Sequence, residues 1–496
     1  MITQVFIHTT CPHCGAPLEF PTGTWTMMCP YCSTPLRIIG RGRSLRFVLA
    51  DSLDPRTAVT AVERHLRRRS APLPGFGVRT RRRWVPFWLV TGRFYAWLYG
   101  VVSRSTPSRQ PHASSARFFL QTYARPQLDK PVEHPVPVPR RRLIVKEVNH
   151  SFAACAARVE PSLGIRTQAL HLSVFDRAQL ESAGDEVVPV NTTREQAMQR
   201  AMKATEFTLY NRGIAAQQAV WRMVGEELSL VYQPQWLVSY SSSDGDKTAI
   251  VDGIAGRVER IVDESEVPSV PRPDEPLAVE VMGVLPHRCP YCGWDLPVIA
   301  KAAAFPCTNC DRLWWEHEEK LSQPKHTVAH SRIPPDKLLP FWVFVVRLMS
   351  PPAIVASQSQ WVRLCPGALR ITGDPSRPVR IFVPAFVMAV GESAVKLGSS
   401  LTTMQPEYAT DRDTPAHAGD ACVLPVEEAA ELAEVVFLGA LADLVRKPAF
   451  FASLNPDLSS PELVWVPFVR DDIYLRDELV GATIESRGVG DAPVPR

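Results

Sequence analysis

Cys11-Pro12-His13-Cys14, fourteen residues, then Cys29-Pro30-Tyr31-Cys32 lie near the start of the chain. Roughly 280 residues later the same spacing returns as Cys289-Pro290-Tyr291-Cys292, fourteen residues and Cys307-Thr308-Asn309-Cys310. Thiolates are soft ligands, and four of them close a tetrahedron around Zn²⁺. Pro after the first Cys and Gly15 or Gly293 after the second suit a tight knuckle whose backbone amides point at sulfur. All eight residues, Cys11, Cys14, Cys29, Cys32, Cys289, Cys292, Cys307 and Cys310, are therefore read as ligands of two structural Zn²⁺ ions. Iron in a rubredoxin-like site is the rival ion. Four thiolates per site leave no open coordination position, which argues against metal-bound water as a nucleophile and against a catalytic dithiol. His13 sits inside a knuckle that already has its ligands and is expected to face solvent.

The chain has 496 residues, room for two to four domains. The three remaining cysteines, Cys155, Cys365 and Cys422, are scattered and read as buried small hydrophobes. Paired CxxC sets with lone cysteines point to a reducing cytoplasm rather than a secreted disulfide scaffold. The first residues, MITQVFIHTTCPHC, lack the basic start and apolar core of a signal peptide. The apolar stretches Trp84–Val102 and Leu338–Met349 are interrupted or short, and read as buried strands rather than membrane spans. A soluble cytoplasmic protein is expected, with peripheral membrane contact left open. Charge is uneven: Arg37–Arg142 holds 22 Lys or Arg against 5 Asp or Glu, in a chain whose net charge is only +4.

Along the chain, 1–46 is read as the first ribbon with an exit strand at Leu36–Ile39. Residues 47–142 form a basic region. In it Asp54-Pro55 starts a helix to about Arg69. The aromatic runs Trp84–Val90 and Phe94–Tyr99, parted by Thr91-Gly92-Arg93, read as a hairpin. Phe118–Tyr123 is a further strand candidate and Pro131–Arg142 a linker. Residues 143–261 are read as an α+β domain. It has strands at Leu143–Val148 and Ala169–Val174, a turn at Pro161–Gly164, and a helix opened by a Thr192-Thr193-Arg194-Glu195 capping box. A second helix spans about Gly213–Glu227. Strands follow at Leu228–Tyr232, Trp236–Tyr240 and Thr248–Val251, with an Asp252-Gly253 turn before Ile254–Val258. Residues 262–283 are an acidic, Pro-rich linker. Residues 284–319 are the second ribbon, 320–487 a second α+β domain with a helix at about Pro425–Arg446, and 488–496 a disordered tail. Trp84-Val85-Pro86-Phe87 is repeated as Trp465-Val466-Pro467-Phe468. Pro86-Phe87-Trp88 is echoed by Pro340-Phe341-Trp342. This reads as an internal duplication: ribbon, spacer, then a Pro-aromatic strand, with Pro at a strand start or edge. The fold class is thus α+β and modular, two four-Cys zinc ribbons each followed by a mainly antiparallel β domain with a few helices.

The CPxCG…CPYC pattern, the Pro-Phe-Trp strands and Tyr232-Gln233-Pro234-Gln235-Trp236 leading to Val251–Val258 resemble a group of bacterial zinc-ribbon proteins. Those are labelled by analogy with the zinc-binding region of the primosomal replication-restart helicase. The resemblance implies zinc ribbons and no helicase motor, since no GxxxxGK[ST] loop is present. Some members carry transmembrane helices after the ribbon; none is expected here.

Neither HExxH nor GxSxG occurs. Trp314-Trp315-Glu316-His317-Glu318 reads as an exposed polar segment after the ribbon. The function expected is a non-catalytic zinc-ribbon scaffold or assembly protein that makes protein–protein contacts in a bacterial complex. The alternative is nucleic-acid binding through Arg37–Arg142, with Arg67, Arg68, Arg69, Arg81, Arg82 and Arg83 on phosphate. Trp84, Trp88, Phe94, Tyr95 and Trp97 would then serve as stacking faces. The acidic remainder of the chain would equally neutralise those charges. An enzyme with an unrecognised site is third.

Overall fold

The computed structural model describes residues 5–21, 24–40, 45–49, 53–70, 77–101, 140–155, 170–175, 180–181, 184–211, 218–243, 245–267, 283–299, 301–317, 319–348, 354–365, 374–388, 391–411, 414–441 and 456–490. The expected strand Phe118–Tyr123, the turn at Pro161–Gly164 and most of both linkers lie outside these residues. The fold is mixed α+β and mostly strand, with five helices among the described residues. No helix among them is long and apolar enough to cross a membrane.

The first half is built on a ten-stranded sheet. In chain order its elements begin with β1 (Val5–Thr10), β2 (Pro17–Pro21), β3 (Thr26–Met28), β4 (Pro35–Ile39), β5 (Leu45–Leu49) and α1 (Pro55–Arg68). They continue with β6 (Arg79–Val101), β7 (Arg140–Ala153), β8 (Leu170–Val174), β9 (Glu186–Val187), α2 (Arg194–Asn211), β10 (Gln218–Ser242), β11 (Gly245–Asp252) and β12 (Val258–Asp263). Helix α1 starts as the Asp-Pro pair requires, with Asp54 Oδ1 accepting from Thr57 N at 2.8 Å. Helix α2 opens on a reciprocal box one residue later than expected: Thr193 N donates to Gln196 Oε1, and Gln196 N to Thr193 Oγ1.

Two expectations fail here for one reason. The proposed hairpin at Trp84–Tyr99 is a single strand of 23 residues, and the proposed helix at 213–227 is, from Gln218, the first part of a 25-residue strand. The two run antiparallel from Arg79↔Ser239 to Tyr99↔Gln218. The Thr91-Gly92-Arg93 break is taken up by a bulge in the opposite strand between Val224 and Glu227, where Gly225 adopts φ +63°. Pairing with a long neighbour overrides the local turn and helix signals. The supposed strand Ile254–Val258 is instead mostly the turn joining β11 to β12.

The second half carries β13 (Gly283–Pro286), β14 (Ala304–Pro306), β15 (Leu313–His317), β16 (Lys320–Ser322), β17 (Lys325–Ala329), β18 (Lys337–Arg347), α3 (Gln358–Leu364), β19 (Val379–Pro384), α4 (Gly391–Met404), β20 (Thr410–Asp411), α5 (Val426–Ala440), β21 (Asp457–Asp471), β22 (Tyr474–Asp477) and β23 (Thr483–Glu485). Strands β17 to β23 form a seven-stranded sheet.

The Pro-aromatic strands pair in one register in both sheets. Pro86 faces Tyr232 and Trp84 faces Pro234; Pro340 faces Trp465 and Leu338 faces Pro467. These prolines lie inside central strands, not at their starts. Each sits where a flanking partner gives out: Pro234 falls between the stretches of β10 paired to β5 and to β11, and Pro467 between those of β21 paired to β17 and to β22. No ladder N–H is needed at those points, which removes the usual objection to a central proline. The neighbouring contacts also correspond. Ala154 N donates to Pro86 O and Ala385 N to Pro340 O, both at 2.9 Å. Trp88 Nε1 donates to Thr192 O and Trp342 Nε1 to Leu424 O, in each case two residues before a helix begins.

One core joins the halves. Trp25, Tyr95, Trp97, Val220 and Val224 from the first pack with Trp342, Phe344, Val435 and Val436 of the second. The part of β6 and β10 beyond the bulge is an arm laid on α5, and Trp97 Nε1 donates to Val435 O at 3.0 Å.

Candidate metal centres

Each CxxC pair caps a short hairpin, and all four hairpin tips have the same backbone. The first Cys N–H donates to the carbonyl five residues on, and its own carbonyl accepts from the residue four on. This holds at Cys11, Cys29, Cys289 and Cys307, with N···O distances of 2.8 to 2.9 Å. The fourth residue after each leading Cys is left-handed: Gly15 at φ +71°, Ser33 at +55°, Gly293 at +73° and Asp311 at +53°. The sequence signals only the two glycines. Ser33 and Asp311 hold the same conformation without one, Asp and Asn being the commoner tolerant types.

The turns bring the sulfurs together. In each set the four Sγ atoms lie within 4.8 Å of one another. The closest approaches are Cys11–Cys32 at 3.9 Å, Cys14–Cys29 at 3.8 Å, Cys289–Cys310 at 3.8 Å and Cys292–Cys307 at 3.5 Å. A tetrahedron with Zn–S bonds of about 2.3 Å has edges of about 3.8 Å. The spacing fits that figure and is far from a disulfide's roughly 2 Å. Both sets are therefore compatible with two zinc sites.

The surroundings favour the thiolate at some of the ligands and the thiol at others. The Thr34 hydroxyl, 3.3 Å from Cys32 Sγ, and the Thr34 amide bring Cys32 down to about 6. The Asn309 side chain and the Trp294 amide do the same for Cys292, also to about 6. Burial pushes the Cys307 thiol up to about 12. Trp314 Nε1 donates to Cys289 Sγ at 3.2 Å, a supporting contact the sequence does not reveal. His13 is exposed, as its position in the knuckle implies, and Cys155, Cys365 and Cys422 are buried.

The two sets share structure. Strand β4, which leaves the first, pairs antiparallel with β13, which enters the second, to make a three-stranded sheet with β3. His287 N donates to Pro35 O at 2.8 Å and Thr26 Oγ1 to Ile299 O at 2.7 Å. Arg37 Nη1 donates to Glu319 O at 3.0 Å and lies 3.7 Å from the Glu316 carboxylate; the two side chains are only 10% and 9% exposed. Glu316 thus belongs to a buried contact in β15 rather than to an exposed polar segment.

The residues singled out for nucleic acid separate into two groups. Arg81 and Arg83 pair with Glu186 of the short strand β9 that runs alongside, and Arg82 with Asp185 just before it. Trp84, Trp88, Phe94, Tyr95 and Trp97 are buried in the sheet cores and offer no face for stacking. Arg67, Arg68 and Arg69 stand exposed at the end of α1, where Arg67 makes an i,i+4 pair with Glu63 at 3.9 Å. Their placement suits the negative end of the helix dipole. Comparison of the chain with family models, with curated proteins and with solved structures finds no match.

Proposed function

We propose that this protein is a non-catalytic assembly component in which two structural Zn²⁺ ions hold a pair of zinc ribbons as a rigid docking head. The observation that carries the reading is the pair of four-thiol sets with aromatic residues displayed at their tips. Tyr31 is 65% exposed, Tyr291 64% and Trp294 56%. Large aromatics held out by a stiff turn, at little cost in side-chain entropy on docking, are what protein interfaces use as anchors. Four sulfurs per ion leave no coordination position for a substrate. The shared strand register and the matched Trp-to-carbonyl contacts support an internal duplication, with each half one copy of a ribbon-plus-sheet unit. On this reading the protein works in the bacterial cytoplasm, and its resemblance to ribbon proteins of the primosomal type extends to the metal sites but to no motor.

The test is metal analysis followed by partner capture. Purified full-length protein is expected to hold two zinc ions. Crosslinking in the native host is expected to yield a defined partner set with wild-type protein, and to lose it with Tyr31→Ala/Tyr291→Ala/Trp294→Ala at unchanged zinc content. Substrate turnover by the purified protein alone would overturn the reading.

Exposure of Arg67, Arg68 and Arg69 favours a second reading, nucleic-acid contact through the end of α1. It requires an affinity that falls steeply with salt and a shallower slope once these three are neutralised.

A further inference from the structure

We infer that the two four-Cys sets bind metal cooperatively, as one unit, and that Arg37 with the β4–β13 pairing is the device that couples them. The inference rests on the reading that both sets hold metal. Three observations carry it. Strand β4 begins one residue after Thr34, whose carbonyl receives the Cys29 amide and whose hydroxyl lies 3.3 Å from Cys32 Sγ. Strand β13 ends three residues before Cys289. The register Pro286↔Leu36 and the bond from His287 N to Pro35 O therefore tie the base of one knuckle directly to the base of another.

The second observation is burial. Leu36 and Ile38 of β4 are buried, with Val284 of β13 packed against their cluster. Trp25, which precedes β3, is buried with Ala303, Ala304 and Leu313 of the second ribbon. A ribbon that loses its ion and opens would expose the other's apolar face as well as its own. The third is charge. Arg37 is carried by the first ribbon and is nearly buried beside the Glu316 carboxylate and the Glu319 carbonyl of the second. Separating them leaves charges in a site with little water, which is strongly unfavourable. So small a ribbon owes its fold to its metal. Loading one set orders the β4–β13 strip and leaves less to be ordered at the second. By linkage the effect is reciprocal and of equal size.

The experiment is native mass spectrometry of the full-length protein during zinc titration. A fully titrated protein that carries no zinc would defeat the metal reading itself, and the coupling with it. A protein that binds two ions tests the coupling alone. At one equivalent of zinc, coupling predicts that fewer than half of the molecules hold a single ion, with metal-free and doubly loaded chains in excess. Half or more singly loaded overturns it when Cys11→Ser also gives up its ion at the wild-type chelator concentration. In Cys11→Ser the ion left at the second set is expected to pass to a competing chelator at a concentration lower by about five-fold or more. Release at the wild-type concentration overturns the proposal. Arg37→Leu/Glu316→Leu keeps all eight sulfurs and removes the buried pair; it is expected to bind two ions with a larger singly loaded fraction.

Discussion

Ser33 and Asp311 carry the left-handed residue of two knuckles without the freedom of glycine. Ser33→Val is expected to lower the stability of the zinc-loaded protein by about 1–2 kcal/mol, because a β-branched side chain resists this conformation. Ser33→Gly is expected to change it by less than about 1 kcal/mol, since relief of strain is offset by a freer unfolded chain. Urea midpoints at fixed zinc would check both. His150 gives a pH dependence of defined sign. Burial, and secondarily Lys146, lowers its pKa below the ordinary histidine value, while Nε2 lies 3.0 Å from Thr205 Oγ1. The unfolded chain then binds the proton more readily than the folded one. The stability this group contributes is full above the unfolded value of about 6.5 and is lost as pH falls toward the lower folded value. The urea midpoint is expected to fall between pH 7 and pH 5, with a shallower slope in His150→Gln.

Among elements, the arm of β6 and β10 decides the packing of α5. Trp97→Ala removes a buried indole and its bond to Val435 O, and is expected to cost about 3–5 kcal/mol. The loss should appear as faster hydrogen exchange in α5. Gly225 in the bulge is left-handed, and a Cβ there would come within 2.8 Å of Glu428 Oε2. Gly225→Val is expected to destabilise by about 1–3 kcal/mol. The entry to β9 has its own role, since Asp185 and Glu186 pair with Arg81, Arg82 and Arg83. Glu186→Gln removes the negative charge that faces the nearly buried Arg83, and should lower the melting temperature clearly more than neutralising exposed Arg68 does. If nucleic acid binds at all, neutralising Arg67, Arg68 and Arg69 should flatten the salt slope, while neutralising Arg81, Arg82 and Arg83 should affect stability instead.

At the scale of the molecule, the core that runs from Trp25 and Trp97 to Trp342 and Val436 is shared by both halves, so they are expected to unfold together. A single denaturation transition is expected, coincident by tryptophan fluorescence and far-UV circular dichroism. Two separated transitions would show that the arm, the β4–β13 strip and this core contribute little.

Some of this was already written in the residue order. Four thiols at fixed spacing specify a metal site because the chemistry is local: two short turns suffice to bring each set together. Asp54-Pro55 and the Thr193 box likewise act within one helical turn. The Pro-aromatic repeats mark strands, but their prolines point to a start or an edge; that they stand inside central strands depends on where the neighbouring strands stop. The 23- and 25-residue strands carry hairpin and helix signals in their own sequence, because their register comes from a partner more than a hundred residues away. The fate of the basic and aromatic residues was decided the same way. The aromatic side chains became buried sheet faces and Arg81, Arg82 and Arg83 paired with Asp185 and Glu186, while Arg67, Arg68 and Arg69 stayed exposed, because burial and charge pairing are properties of the packed chain.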